Sequence, residues 1–170
     1  MSDGWRRTAG RGIEGSVTWP GYAQSTGEQK GSLTAIGVAV TETDSISAGI
    51  RAGAITVNGG ALLVSTASNG AEGLESKTSV TINGGLHYFQ CYDDCINSPG
   101  IINFAGGTTV CYATNNDAVD SNYGRSGAIT ISGGNLFAYS GAGGAEEGID
   151  CDNNSYITVT GGIAISAGGS

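Results

Sequence analysis

Five short segments of the 170-residue chain share one frame: AITVNGG (54–60), SVTINGG (79–85), IINFAGG (101–107), AITISGG (128–134) and YITVTGG (156–162). The second glycine of each falls at 60, 85, 107, 134 and 162, giving steps of 25, 22, 27 and 28 residues. Self-similarity on that scale is the mark of a solenoid, whose repeats are too small to bury an apolar face alone and must stack on their neighbours. Within each frame the apolar residues alternate, as Ile55/Val57, Val80/Ile82, Ile102/Phe104, Ile129/Ile131 and Ile157/Val159. That is the period of a strand with one buried face. The glycine pair then bends the chain without a side-chain penalty.

A second strand follows each pair. Two and four positions on come Leu62/Val64, His87/Phe89, Thr109/Cys111 and Leu136/Ala138, which the alternation places inward. Leu63, Tyr88, Val110, Tyr112, Phe137 and Tyr139 then face solvent. A third short strand is marked by an aliphatic flanked by acids or amides, at Leu74, Ile96, Val119 and Ile149. The chain is therefore expected to be all-β, a single-stranded parallel β-helix (β-solenoid) with three short strands per coil. Its uneven steps argue against an antifreeze-like solenoid with strict Thr ladders. An apolar content of 39% with only three Phe predicts a thin core.

Residues 1–170 read as one domain, with irregular first coils or a cap over 1–44 and regular coils over 45–170. TAGRGIEG (8–15) and SISAGIRAG (45–53) read as degenerate third strands, and WPGYAQSTGEQKG (19–31) as a loop. The four cysteines, Cys91, Cys95, Cys111 and Cys151, match no zinc spacing. They read as buried thiols, with a local Cys91–Cys95 bridge as the alternative. No stretch approaches the roughly 18 apolar residues of a membrane span, so no membrane insertion is expected. The opening MSDGWRRTAG lacks the apolar run of a secretory signal.

Stacking the coils also brings carboxylates into register. Two positions before the aliphatic lie Glu72, Asp94, Asp117 and Glu147; one after it lie Glu75, Asn97, Asp120 and Asp150. From residue 72 to 152 there are ten carboxylates against two strong bases, Lys77 and Arg125. Coils lie about 4.8 Å apart, so neighbouring like charges would repel by about 3 kcal/mol at an effective dielectric of 20. Stacked oxygen ligands with interspersed Asn suit a hard divalent cation, and Ca2+ tolerates irregular geometry better than Mg2+. Asn97, Asn122 and Asn153 are candidates to complete the shells, and Glu146 and Asp152 either assist or stay hydrated. A formal net charge of -8 disfavours nucleic acid as a partner.

The succession GAEGLESK-TSVTINGG, YDDCINSPGIINFAGG, NNDAVDSN, AITISGG and GAEEGIDCDNN resembles bacterial extracellular carbohydrate-binding β-helix proteins, the calcium-binding, polysaccharide-lyase-like family of cellulolytic clostridia, over residues 45–170. The resemblance implies a right-handed parallel β-helix, secreted or at the cell surface of a bacterium. It implies calcium held between coils, and binding of plant cell-wall polysaccharide, either acidic pectic chains or cellulose. Carried over by position, the metal candidates are Glu72, Glu75, Asp93, Asp94, Asp117, Asp120, Glu147 and Asp150.

Outward Tyr88, Tyr112, Phe137 and Tyr139 are the carbohydrate-binding candidates, since pyranose rings bury apolar CH faces against aromatic rings. The alternative is that they stabilise the strands through cross-strand contacts. Trp5 and Trp19 are further aromatics without register, and His87 reads as a packed core residue. A calcium-dependent pectate lyase is the rival reading. It needs a Lys or Arg base, for which Lys77 is a weak candidate. A third reading is a structural solenoid that self-associates through open ends into filaments.

Overall fold

The computed structural model describes residues 13–14, 32–41, 48–67, 69–125, 127–144, 146–152 and 154–168. The WPGYAQSTGEQKG loop, Trp5 and Trp19 lie outside them. Among the described residues there is no helix, and every strand pairing is parallel. The strands are β1 (Ile13–Glu14), β2 (Ser32–Thr41), β3 (Ala48–Ser65), β4 (Glu72–Ile82), β5 (Leu86–Cys91), β6 (Ile96–Ser98) and β7 (Ile101–Phe104). They continue with β8 (Thr108–Ala113), β9 (Val119–Ser121), β10 (Ile129–Ile131), β11 (Asn135–Ser140), β12 (Ile149–Cys151), β13 (Ile157–Val159) and β14 (Ile163–Ala167).

They stack as a parallel β-solenoid with three ladders. The first runs through the repeated frame, aligning Ile55, Val80, Ile102, Ile129 and Ile157. The second aligns Leu62, His87, Thr109, Leu136 and Ala164. The third aligns Ile13, Ile50, Leu74, Ile96, Val119 and Ile149. The two degenerate segments of the sequence thus join the third ladder. Strand length differs from the expected three short pieces in the early coils. There β3 runs unbroken through all three ladders and β4 through two, because pairing to the coil below continues around the corners.

The inward positions form one thin apolar column in which Ile50, Leu74, Ile96, Ile102, Ile129, Phe89 and Leu136 are essentially inaccessible. His87 is fully buried among them with Nε2 2.8 Å from the Gly84 carbonyl oxygen. Burial lowers its pKa, which keeps it neutral. All four cysteines are free thiols, with Cys91, Cys95 and Cys111 buried.

The glycine pair sets the coil-to-coil distance at the corner between the first and second ladders. The second glycine of each pair has positive φ: Gly60, Gly85, Gly107, Gly134 and Gly162. Its carbonyl accepts a bond from the next coil: Thr108 N–H donates to Gly85 O at 2.8 Å, Asn135 N–H to Gly107 O at 2.8 Å and Ile163 N–H to Gly134 O at 2.9 Å. A Cβ on Gly134 would lie 2.5 Å from the Gly107 oxygen, and one on Gly162 would lie 2.3 Å from the Gly134 oxygen. The coils approach here as backbone on backbone, with no room for a side chain.

β2 was not legible from this frame. It pairs along β3 from Ser32↔Ala54 to Thr41↔Ser65, with register shifts between Ala35 and Val38. Its corner carries Ile36-Gly37 in place of a glycine pair, and the chain passes from Ala35 to Val38 where β3 passes from Val57 to Leu62.

Gly134→Ala is expected to destabilise the fold by about 2–4 kcal/mol, combining left-handed strain with the clash against the coil below. Gly124→Ala, at φ +61 with nothing within 4 Å, is expected to cost about 1 kcal/mol, for the conformation alone. Urea midpoints at unchanged slope separate the two.

Candidate functional site

The outward positions of the first ladder stack Thr56, Thr81, Asn103, Thr130 and Thr158, and the candidate side chains lie on the other two faces. On the third ladder the residue after each inward aliphatic points outward, which stacks Arg51, Glu75, Asn97, Asp120 and Asp150. The corner preceding that ladder is tied coil to coil by its backbone. Gly73 N–H donates to Asp94 O at 2.8 Å, and Ala118 N–H donates to Glu147 O at 3.1 Å. These bonds bring Glu72, Asp94 and Asp117 beside the first row, and the result is a continuous acidic seam.

The seam is not uniform along its length. At its start Glu75 is neutralised, with Arg51 Nε at 3.0 Å from its Oε2 and Lys77 Nζ on its Oε1. Arg51 is the residue that sequence reasoning missed. Its signal was present, since Arg51 follows Ile50 in SISAGIRAG as Glu75 follows Leu74. One coil on, Asn97 Nδ2 donates to Glu72 Oε1 and to Asp94 Oδ2, both at 3.0 Å. The amide thereby clamps two carboxylates of successive coils. Their other oxygens, Glu72 Oε2 and Asp94 Oδ1, are buried without a hydrogen-bond partner, and so is Asp120 Oδ1. Asp120 Oδ2 accepts from Asn122 Nδ2, and Asp117 Oδ1 accepts from the backbone N–H of Glu147.

Burial with mutual repulsion makes these groups hold protons. Burial, then the charges of Asp120, Asp93 and Glu72, push the Asp94 carboxyl up to about 9. Burial and then Asp93 raise Glu72 to about 7. Burial raises Asp117 to about 7 despite the Glu147 N–H, and Asp120 to about 6 despite Asn122. Buried carboxylates in a row that outnumber their bases behave this way because each charged form loses water and gains a like neighbour.

One place along the seam has the donor set of a cation site. A carboxylate oxygen from each of Asp117, Asp120 and Asp150 lies within 4.8 Å of the others. Asp117 and Asp120 are buried, Asp150 is half-buried, and Asp120 brings its unpartnered oxygen. Hard, anionic, oxygen-only ligands on two adjacent coils fit Ca2+. Of the remaining sequence candidates, Asp93 is half-buried beside Glu72 and Asp94, and Glu147 is exposed, meeting Asp117 through its backbone rather than its carboxylate. Asn153 lies outside the described residues.

The second surface is the outer face of the second ladder. Tyr88 and Tyr139 are exposed there, while Tyr112 and Phe137 are half-buried. Tyr112 and Tyr139 are register partners on adjacent coils, and their rings stack with centroids 5.3 Å apart at 14°. Tyr88 and Phe137 share the neighbouring column with Val110 between them. The four aromatics thus fall into two parallel columns. Arg125, the other base of this region, sits 5.8 Å from the ring centre of Tyr123.

Each raised carboxyl is protonated in the folded chain at pH values where the unfolded chain has released its proton. The stability it contributes is complete below the ordinary value of 3.8 for an Asp and is lost as pH climbs through the folded value, about 9 for Asp94. In chelator, the unfolding temperature is therefore expected to fall as pH rises from about 6.5 to 8.5. Asp94→Asn, which cannot ionise, is expected to flatten that slope.

No helix among the described residues is long and apolar enough to cross a membrane. A family model described as "carbohydrate-binding domain-containing protein" matches residues 25–118, more than half of the chain and the coils that carry Glu72 to Asp117, Tyr88 and Tyr112. Comparison with curated proteins and with solved structures found no match. The chain belongs to the family of carbohydrate-binding domain-containing proteins.

Proposed function

We propose that this protein is an extracellular bacterial module that binds plant cell-wall-type polysaccharide without transforming it, its acidic seam stabilised by calcium. The observation that carries the binding reading is the outward set of Tyr88, Tyr112, Phe137 and Tyr139 on a parallel ladder in a chain of a carbohydrate-binding family. Aromatic faces bury the apolar CH faces of sugar rings, and a rigid ladder presents them with little ordering cost.

Asp117, Asp120 and Asp150 would hold the ion, which when bound would supply the positive charge that these three carboxylates do not provide for one another. The chain's part is to preorganise oxygens. Asn122 fixes one Asp120 oxygen and leaves the other directed at no protein donor. The Glu147 N–H steadies Asp117. Asn97 holds Glu72 and Asp94 together one coil away. A lyase reading is less well supported, because Lys77 and Arg51 are both committed to Glu75.

Calcium at a hundredfold excess over its Kd is expected to stabilise the fold by about 2.7 kcal/mol, measured by thermal unfolding against chelator. The double variant Asp120→Ala/Asp150→Ala is expected to lose that shift; an unchanged shift removes the ion from this seam. Native gels cast with polygalacturonate, a neutral β-glucan or no polymer test the binding itself. Retardation by at least one polymer is expected, and free migration through all of them refutes carbohydrate binding.

A further inference from the structure

The outer face of the second ladder carries no charge. None of the outward positions on β5, β8, β11, β14 and the final part of β3 is Asp, Glu, Lys, Arg or His, in a chain whose formal net charge is -8. The charged seam is confined to the third ladder, so the separation is by face rather than by region of sequence.

The uncharged face has a relief. Its central column is Leu63, Tyr88, Val110, Phe137 and Ile165, one residue per coil. Leu63, Tyr88 and Ile165 are exposed at 51%, 43% and 53%. On one side stands the Tyr112/Tyr139 stack, in which each ring covers a face of the other. The stack is held in place because Tyr112 leans over Gly141, where a Cβ would meet its hydroxyl at 2.8 Å. On the other side runs the column Ala61, Leu86, Thr108, Asn135 and Ile163, apolar except in its middle, where Asn135 Nδ2 donates to Thr108 Oγ1 at 3.2 Å across the coils. Tyr88 and Phe137 are two coils apart, about 9.6 Å along the axis.

Resting on the carbohydrate-binding reading, we infer that this face is a track for an uncharged, extended, β-linked pyranose chain lying parallel to the solenoid axis. Such a chain is a ribbon with apolar CH faces and hydroxyls along both edges. Its ring faces lie on the central column, with Tyr88 and Phe137 meeting alternate sugars. One hydroxyl edge meets the Tyr112/Tyr139 ridge and the other meets Thr108 and Asn135. A uronate chain is poorly matched, since the face has no cationic or metal-ligating group to receive a carboxylate.

The test is retardation in native gels cast with hydroxyethylcellulose or with polygalacturonate, both containing calcium, for wild type, Tyr88→Ala, Val110→Glu and the control Tyr156→Ala. Tyr156 is exposed outside this ladder. Unfolding temperature checks that each variant is folded, and Val110→Glu, at an outward half-buried position, places a charge mid-track without removing a ring. The expected result is retardation of wild type and Tyr156→Ala by the neutral polymer. Tyr88→Ala and Val110→Glu are expected to bind about fivefold to tenfold more weakly. Equal retardation of all four by the neutral polymer overturns the track while leaving carbohydrate binding intact. Retardation by polygalacturonate alone overturns the uncharged-ligand assignment, and no retardation in either gel refutes the binding reading with it.

Discussion

The fold depends on backbone approaching backbone at the glycine-pair corner. The carbonyls of Gly85, Gly107 and Gly134 each accept a bond from the next coil and occupy the space that a Cβ on that coil's second glycine would need. A left-handed residue there is a requirement of spacing as much as of turning, because a corner that held its neighbours off would also break the ladders on both sides. The thin apolar column follows from this. With coils held at strand spacing, inward residues need only fill the lumen between successive copies of themselves, and Ile on Val on Ile does most of this, with Phe89 and Phe104 adding bulk.

The same spacing creates the electrostatic problem of the third ladder. Identical registry that puts aliphatic on aliphatic inside puts carboxylate on carboxylate outside. The chain meets the repulsion in different ways along the seam. Arg51 and Lys77 neutralise Glu75, the Asn97 amide takes the place of an acid in the row, and burial raises the pKa values of Glu72, Asp94, Asp117 and Asp120 so that they keep protons more readily than exposed acids. The seam is the acidic face of the solenoid, whereas the outward positions of the second ladder hold no Asp, Glu, Lys, Arg or His.

The ladders were legible because their determinants are residue types at fixed offsets. Glycine pairs marked one corner, alternation marked two strands, and a lone aliphatic among acids marked the third, so the alignment of Ile55 with Val80, Ile102, Ile129 and Ile157 could be written down from spacing. β2 escaped because its shorter corner contains no glycine pair. Within the seam, the alignment of Asp120 with Asp150 was legible, but the depth of each carboxylate was not. Asp117 and Glu147 hold equivalent places, yet one is buried and the other exposed, since burial depends on the coil that covers each. Both Tyr112 and Tyr139 were expected outward; that they pack on each other follows from adjacency in one column, with Tyr88 and Phe137 in the next.

From β4 onward coil length varies while registry does not, and the variation is unevenly placed. Three residues separate the first ladder from the second in each of the coils entering β5, β8, β11 and β14, whereas the gaps leading to β6, β9 and β12 differ from coil to coil. One corner therefore acts as the gauge of the solenoid, and the other two are free to gain or lose residues. The acidic seam borders one of those free corners. The acids of that corner can be rearranged by insertion or deletion over evolutionary time with the strands left in place, so a lineage built on this scaffold can change the charge of its seam without renegotiating its fold.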